Sequence, residues 1–162
     1  MVTNAMSSHR QFLHQTIDLA TQNVKEADGG PYGAVIVKNN EIIASSGNRV
    51  TPNLDPTAHA EIMAIRHACQ SLQDFQLTGC TLYTSCEPCP MCLGAIYWAR
   101  LERVFFASTR FDAAKSGFDD AFIYEEIAKP PEQRRIPMQH IPLDTASRPF
   151  EEWLKIDHKI LY

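Results

Sequence analysis

The sequence lacks any apolar run that approaches the roughly 20 residues of a membrane-spanning helix. Residues 1–15 also lack the apolar segment of a secretory signal. We therefore expect a cytoplasmic protein with no membrane partner. Internal repeats and low-complexity segments are missing as well. A chain of 162 residues, 44% of them hydrophobic, predicts one globular domain over 1–162.

An excess of basic residues is also missing. The chain carries 15 lysines and arginines against 19 acidic residues, and the net charge is -4. Proteins that hold a nucleic-acid backbone usually present a basic face, whereas the basic residues here are scattered along the chain. We therefore expect no nucleic-acid partner.

The cysteine count is odd, with five in the chain, and two of them form a Cys-x-x-Cys pair. This pattern disfavours a secreted disulfide framework, in which cysteines are paired throughout. Cys69 and Cys80 are instead expected to be small core residues. The remaining three cysteines lie close together, at positions 86, 89 and 92.

Apolar periodicity and turn residues predict alternating helices and strands. A packing helix is expected over 8–27, and we assign it no chemistry. The expected strands are 32–37, 41–47, 80–84, 103–107 and a last one over 136–143. Further helices are expected to begin at Asp55 and near Cys89 and to cover 121–127, and residues 149–162 are expected to form a final amphipathic helix or a tail. This order favours parallel pairing of the later strands, with ligands gathered where the helices start.

Two short motifs carry the chemistry, His59-x-Glu61 and Pro88-Cys89-x-x-Cys92. The two cysteines stand where a helix is predicted to begin, so both sulfurs can lie on one face of its first turn. The partial positive charge of a helix start favours the thiolate, which is the form that binds metal. Zinc-dependent nucleobase deaminases carry H-x-E followed by P-C-x-x-C, in the order seen here.

The two motifs together predict an open zinc site. His59, Cys89 and Cys92 would be three protein ligands that leave a fourth position for water, and Glu61 would move protons beside the metal. A closed structural site is the alternative, in which Cys86 completes a Cys3His tetrahedron and the domain is a binding module. We favour the open site because a proline separates Cys86 from the helix start.

Three stretches, 30–37, 55–61 and 84–96, resemble the cytidine and deoxycytidylate deaminase superfamily. Within it, residues 113–120 and the terminal Tyr162 are most similar to the bacterial guanine deaminases. The resemblance runs over nearly the whole chain. It implies an α/β fold, a three-layer α/β/α sandwich around a mixed five-stranded sheet. It also implies one zinc ion per subunit, held by His59, Cys89 and Cys92.

The same resemblance implies roles in substrate binding. Asn48 would hydrogen-bond the purine, and Asp120 would read the amino group that is removed. The tail 149–162 would cross into the partner's active site in a domain-swapped homodimer and place Tyr162 there. The remaining expected substrate contacts are Tyr32, Ala60 and Trp98. Members of this family usually have a phenylalanine at the position of Tyr32, so the added hydroxyl bears on substrate preference.

The implied reaction is the hydrolytic deamination of guanine to xanthine and ammonia, in purine catabolism or salvage. Glu61 would take a proton from the zinc-bound water, pass it to a ring nitrogen and protonate the departing ammonia. Guanosine, adenosine in tRNA and pyrimidines are alternative substrates, because the same motifs and zinc chemistry serve all of them. A non-catalytic Cys3His module is the alternative outside enzymes.

Overall fold

The computed structural model describes residues 2–162, with side chains described from Met6 onward. The chain divides after Asp120 into two compact units. Within the described residues, no helix combines the length and the apolar character that a membrane crossing would need.

Among the described residues, the first unit contains five helices and four strands. Its elements are α1 (Val2–Lys25), β1 (Gly33–Lys38), β2 (Glu41–Gly47), α2 (Val50–Asn53), α3 (Ala60–Leu72), β3 (Cys80–Cys86), α4 (Pro90–Trp98), β4 (Arg103–Ser108) and α5 (Arg110–Lys115). The second unit contains α6 (Ala121–Ala128), a short 3-10 helix (Pro131–Gln133) and α7 (Arg148–Leu154).

The sheet is mixed, with the strand order β2-β1-β3-β4. Strand β1 runs antiparallel to both β2 and β3, whereas β3 and β4 are parallel. The β1–β2 hairpin turns at Asn39 and Asn40, whose φ angles of 51° and 66° fit the left-handed turn that Asn supplies. The predicted mixed sheet and the parallel pairing of the later strands are therefore confirmed.

The predicted fifth strand is wrong: the sheet has four strands among the described residues, and the stretch 136–143 forms none. Pro137 and Pro142 interrupt this stretch, and a proline has no N–H to donate to a ladder. Its apolar side chains Ile136, Ile141 and Leu143 are also largely exposed. An apolar pattern without buried partners does not make a strand.

The strands place a core on each face of the sheet, because side chains alternate along a strand. Ala34 and Ile36 of β1 belong to a cluster with buried apolar residues of α3 and α4, such as Ala64 and Ile96. Val35 and Val37 pack instead with Phe12 of α1. The first unit is thus three-layered, with α1 on one face of the sheet and α3 and α4 on the other.

Helix α3 begins at Ala60, not at Asp55 as the sequence predicts. Asp55 followed by Pro56 is typical of a helix start, but Asp55 closes a turn of its own, since its Oδ1 accepts the Thr57 N–H at 2.8 Å. His59 consequently stands as the residue before the helix, with extended backbone. Its ring is free to project from the helix start instead of along the helix side.

Candidate metal centre and active site

The metal-ligand candidates lie at the starts of two helices. His59 is the N-cap residue of α3, and Cys89 is the N-cap residue of α4, which begins with Pro90. Both N-cap residues have extended backbone, and neither side chain caps its own helix. Cys92 lies in the first turn of α4 and is fully buried. The two helix starts therefore offer one nitrogen and two sulfurs to a shared point.

The three ligand atoms have the spacing of a tetrahedral zinc site. His59 Nδ1 lies 3.5 Å from the Sγ of Cys89 and 3.5 Å from the Sγ of Cys92, and all three atoms lie within 4.8 Å of one another. Zinc bonds of about 2.3 Å to sulfur and about 2.0 Å to nitrogen set a sulfur–nitrogen edge of about 3.5 Å. The donor set and its geometry both fit zinc.

The protonation of the two cysteines also fits a metal site. Hydrogen bonding with Cys92, followed by hydrogen bonding with His59, lowers the pKa of Cys89 to about 4. The hydrogen bond to Cys89 and burial raise the pKa of Cys92. Protein groups alone thus sustain one thiolate, and a bound dication supplies the charge that ionises the second thiol.

Glu61 lies in the first turn of α3 and is 4% exposed. Its Oε1 accepts a hydrogen bond from the Thr84 hydroxyl at 3.0 Å, and its Oε2 lies 3.5 Å from Cys92 Sγ. Burial raises the pKa of the Glu61 carboxyl. One oxygen is thus fixed by the sheet, while the other faces the metal ligands, which suits a group that moves protons.

Cys86 takes no part in the ligand group. Its thiol, buried at the end of β3, donates a hydrogen bond to the Thr109 carbonyl at 3.4 Å. Burial raises the pKa of Cys86 to about 11, so the group stays a thiol. Within the described part of the chain, the three-residue group at positions 59, 89 and 92 excludes it. This arrangement favours the open site over the Cys3His alternative.

Asn48 follows β2 and is 6% exposed. Its side-chain Oδ1 accepts the backbone N–H groups of Gly30 and Val50, at 3.3 and 3.1 Å. The residue is therefore more than a turn former, because its amide has a fixed orientation within the first unit.

Tyr32 and Asp120 share surroundings with the metal-ligand candidates. Burial raises the pKa of Tyr32, and the nearby Cys86, Glu61 and Asp120 raise it further. Burial, followed by the charge of Cys89, raises the pKa of Asp120. The Tyr32 ring also meets the Phe118 ring edge-on at 5.3 Å. Tyr32 and Asp120 of the first unit therefore lie near enough to Glu61 or to the ligand Cys89 for these charges to act on their pKa values.

The other predicted substrate contacts are placed differently. Ala60 is completely buried at the start of α3, between His59 and Glu61. Trp98 is the last residue of α4 and is 66% exposed. Tyr162 belongs to the second unit and is 71% exposed. The first unit therefore contains the metal ligands, Glu61, Tyr32 and Asp120, whereas Tyr162 belongs to the second unit.

Sequence reasoning missed two polar residues that support the site. Thr84 is fully buried and holds Glu61, and the hydroxyl of Ser85 accepts the Gly33 N–H at 3.1 Å. Both lie within a strand whose residues are otherwise apolar or small. A buried hydroxyl in such a strand needs a partner, and that requirement is the signal that could have identified them.

Comparison with known proteins places the chain in a class. Residues 6–108 match the family described as the cytidine and deoxycytidylate deaminase zinc-binding region. The chain belongs to this family, and zinc is its metal, with His59, Cys89 and Cys92 forming the site that the geometry fits.

The chain is similar over nearly its whole length to one particular member. It is 54% identical over 155 residues to the guanine deaminase of Bacillus subtilis strain 168, which covers 96% of this chain and 99% of that one. The X-ray structure of guanine deaminase from Bacillus subtilis has a TM-score of 0.94, with 95% of this chain and 98% of that chain covered.

Two further relatives are more distant. The tRNA-specific adenosine deaminase of Aquifex aeolicus is 38% identical over 125 residues, or 77% of this chain and 80% of that one. A guanine deaminase structure from Nitrosomonas europaea is 33% identical with a TM-score of 0.63, and 67% of this chain and 63% of that chain are covered. The family resemblance that the sequence predicts is confirmed.

Proposed function

We propose that this chain catalyses the zinc-dependent hydrolytic deamination of guanine to xanthine and ammonia. The observation that carries the proposal is the full-length similarity to a guanine deaminase, which extends beyond the zinc motifs into the stretch after residue 108. The relative that acts on tRNA matches fewer residues at lower identity. The net charge of -4 also disfavours a nucleic-acid substrate.

Glu61 is the proton carrier of the proposed reaction. Zinc, when bound, supplies a Lewis acid that makes water nucleophilic near neutral pH. Glu61 accepts the proton of the attacking water at Oε2, because Oε1 is held by Thr84. With zinc bound, Cys92 would be a thiolate and would have no proton to donate to Oε2. Glu61 then delivers this proton to the ring nitrogen, takes a second proton from the hydroxyl newly formed on the attacked carbon, and passes it to the leaving amine, which departs as ammonia.

Side chains around Glu61 orient the base in this proposal. Asn48 donates from its amide nitrogen, and the carboxyl of Asp120 reads the amino group that leaves. Tyr32 borders the same space, and its raised pKa keeps the phenol protonated and able to donate. Ala60 and Trp98 complete the proposed substrate contacts of the subunit. The proposed substrate is a free purine base, and no nucleic acid is proposed as a partner.

We further propose a cytoplasmic homodimer whose tails, 149–162, are exchanged and bring Tyr162 to the partner's site. The tail supports this proposal because its large apolar side chains are exposed, and such exposure indicates a surface that another molecule covers. These side chains are Phe150, Trp153, Leu154, Ile156, Ile160, Leu161 and Tyr162.

Ammonia release by the zinc-loaded protein tests the proposed function. Guanine, guanosine, adenine, cytosine, cytidine and a tRNA that carries the target adenosine are offered separately, with Glu61→Ala as the inactive control. We expect turnover of guanine above all others. Turnover of guanosine alone would keep the mechanism and move the specificity, whereas silence on every substrate with zinc bound would favour a non-catalytic zinc module.

A further inference from the structure

Asn23 lies on the buried side of α1 and is 5% exposed. Its side-chain Nδ2 donates to the carbonyl of Gly30 at 2.8 Å and to the carbonyl of Asn48 at 3.0 Å. Two carbonyl oxygens face this nitrogen and thereby fix the orientation of the amide. In the opposite orientation the amide oxygen would face them, and a carbonyl has no proton to donate to it. A helix on one face of the sheet thus reaches the segment that carries a proposed substrate contact.

The backbone packs closely around the Asn23 side chain. A Cβ atom on Gly29 would lie 2.2 Å from the Asn48 carbonyl oxygen and 2.8 Å from Asn23 Nδ2. A Cβ atom on Gly47 would lie 2.7 Å from Asn23 Oδ1. Gly29 also has a φ of 146°, which side-chain-bearing residues rarely adopt. The two glycines let both chain segments close around the Asn23 amide.

The same contacts set the orientation of the Asn48 side chain. Gly30 links the two asparagines, because its carbonyl accepts from Asn23 while its N–H donates to Asn48 Oδ1. The second N–H on Asn48 Oδ1 comes from Val50. Both acceptor positions of the Asn48 amide are therefore used by backbone. Its nitrogen Nδ2 has no hydrogen-bond partner among the described residues, so it remains as a donor.

We propose that Asn23 is a positioning residue for substrate binding. Its amide fixes both the main chain and, through Gly30, the side chain of Asn48, so that Asn48 Nδ2 is presented to an acceptor atom of the purine ring. Asn23 does not touch the substrate. The inference rests on the proposed function and adds that the site selects rings with a carbonyl oxygen or unprotonated nitrogen at that point.

A purely structural role predicts a different result. If Asn23 only ties α1 to the sheet, its loss lowers stability and leaves the affinity for the base unchanged. If Asn23 acts through Asn48, its loss weakens binding of the base in the ground state and transition state alike. KM then rises while kcat changes little, because uniform binding is removed.

Asn23→Asp is the variant that separates the two roles, because it keeps the shape and replaces the donor with an oxygen. With zinc-loaded protein and guanine, we expect KM to rise about tenfold or more, with kcat within about threefold of wild type. Zinc content, measured by atomic emission, should remain at one per chain. Thr16→Val is the matched control, because Thr16 is also buried on α1 and, among the described residues, its hydroxyl bonds only the Leu13 carbonyl. It should lower the melting temperature without changing KM.

A double-mutant cycle supplies the second readout. In an Asn48→Ala background, Asn23→Asp should change KM by less than about threefold, because the residue through which it acts is gone. Asn23→Ser retains a single donor and should give a smaller rise in KM, which keeps the test open if the aspartate variant does not fold.

Two results would overturn the role of Asn23: an unchanged KM in Asn23→Asp with normal turnover by the wild-type chain, or effects of Asn23 and Asn48 that simply multiply. Failure of the proposed function is seen separately, as absence of guanine turnover by the wild-type chain itself.

Discussion

At the scale of single residues, Glu61 is held at one carboxylate oxygen and directed at the metal ligands by the other. Thr84 donates to Oε1, and Oε2 lies 3.5 Å from the sulfur of Cys92. Burial raises the carboxyl pKa, so the desolvated carboxylate is a stronger proton acceptor than an exposed glutamate. This asymmetry separates the anchoring of Glu61 from its chemistry.

Glu61→Gln should therefore keep the anchor and remove the base. The amide carbonyl of glutamine can still accept the Thr84 hydrogen bond. The neutral amide cannot, however, take a proton from water and pass it on. We expect one zinc per chain and a fall in kcat of about 100-fold to 10,000-fold, the usual contribution of general acid–base catalysis. Steady-state ammonia release and metal analysis measure both. Glu102→Gln is the control, and near-normal turnover by Glu61→Gln would remove Glu61 from the proton path.

Cys86 provides the matching test of the metal site. Its thiol donates to the Thr109 carbonyl, and its sulfur stands outside the ligand group. Cys86→Ala should retain one zinc per chain and cost about 1 kcal/mol of stability from a lost hydrogen bond and a small cavity. Cys89→Ala should lose the metal. If both variants lose zinc equally, the site is a closed Cys3His tetrahedron and the open-site assignment is wrong.

The sequence could predict the zinc ligands because their spacing is local. Cys89 and Cys92 share one helical turn, and His59 stands two residues from Glu61. The supporting partners are distant in sequence, since Thr84 lies 23 residues from Glu61 and Asn23 lies 25 residues from Asn48. The periodicity of a sequence does not reveal pairs that are distant along the chain. The sequence therefore assigns no chemistry to the first helix.

At the scale of elements, helix starts determine where the chemistry lies. The prediction of a helix from Asp55 followed the preference for an acidic N-cap before proline. The turn of Asp55 competes for the same side chain and moves the helix start to Ala60. The strands predicted over 32–37 and 41–47 are confirmed as β1 and β2, and the Asn39-Asn40 pair forms the turn between them.

The start of α5 gives a prediction about pH. Thr109 and Asp112 cap each other, and the hydrogen bonds from Thr109 lower the pKa of Asp112 to about 2. A depressed folded-state pKa gives stability that is complete above the unfolded value and is lost as the pH falls toward the folded one. The stability difference between wild type and Asp112→Asn should be constant from neutral pH to about pH 4 and shrink below it.

Urea unfolding of both chains at a series of pH values measures this difference, and groups common to the two chains cancel. A difference that grows as the solution becomes more acidic would contradict the assignment of the cap.

At the scale of the whole molecule, the family resemblance predicted the mixed sheet and the substrate class correctly. It predicted five strands, whereas the described residues form four. Prolines end the apolar pattern of residues 136–143 before it can form a ladder, and the predicted strand is replaced by irregular chain. The second unit leaves many apolar side chains exposed. We expect a second subunit to cover these side chains. A single sequence can indicate such a partner only through its resemblance to a family.

A chain ending at Glu152 tests the exchanged tail, because it lacks Trp153 and Tyr162 and leaves the zinc site intact. We expect it to bind zinc and to lose turnover of guanine, with an altered dimer by light scattering. Lys155→Ala is the control in the full-length chain, since the Lys155 ammonium, within the part of the chain that the structure describes, pairs only with Glu152 at 2.7 Å. Normal turnover by the shortened chain would show that the tail is no part of the site.

Complementation decides whether the tail acts on its own subunit or on the partner. The Glu61→Gln chain has an intact tail and no base, whereas the shortened chain has an intact Glu61 and no tail. If tails are exchanged, a mixed dimer contains one complete site, built from Glu61 of the shortened chain and Tyr162 of the other. Coexpression in equal amounts should then restore about one quarter of wild-type activity, because half of the randomly formed dimers are mixed. A mixture as inactive as its parts, with mixed dimers present, would place each tail over its own active site.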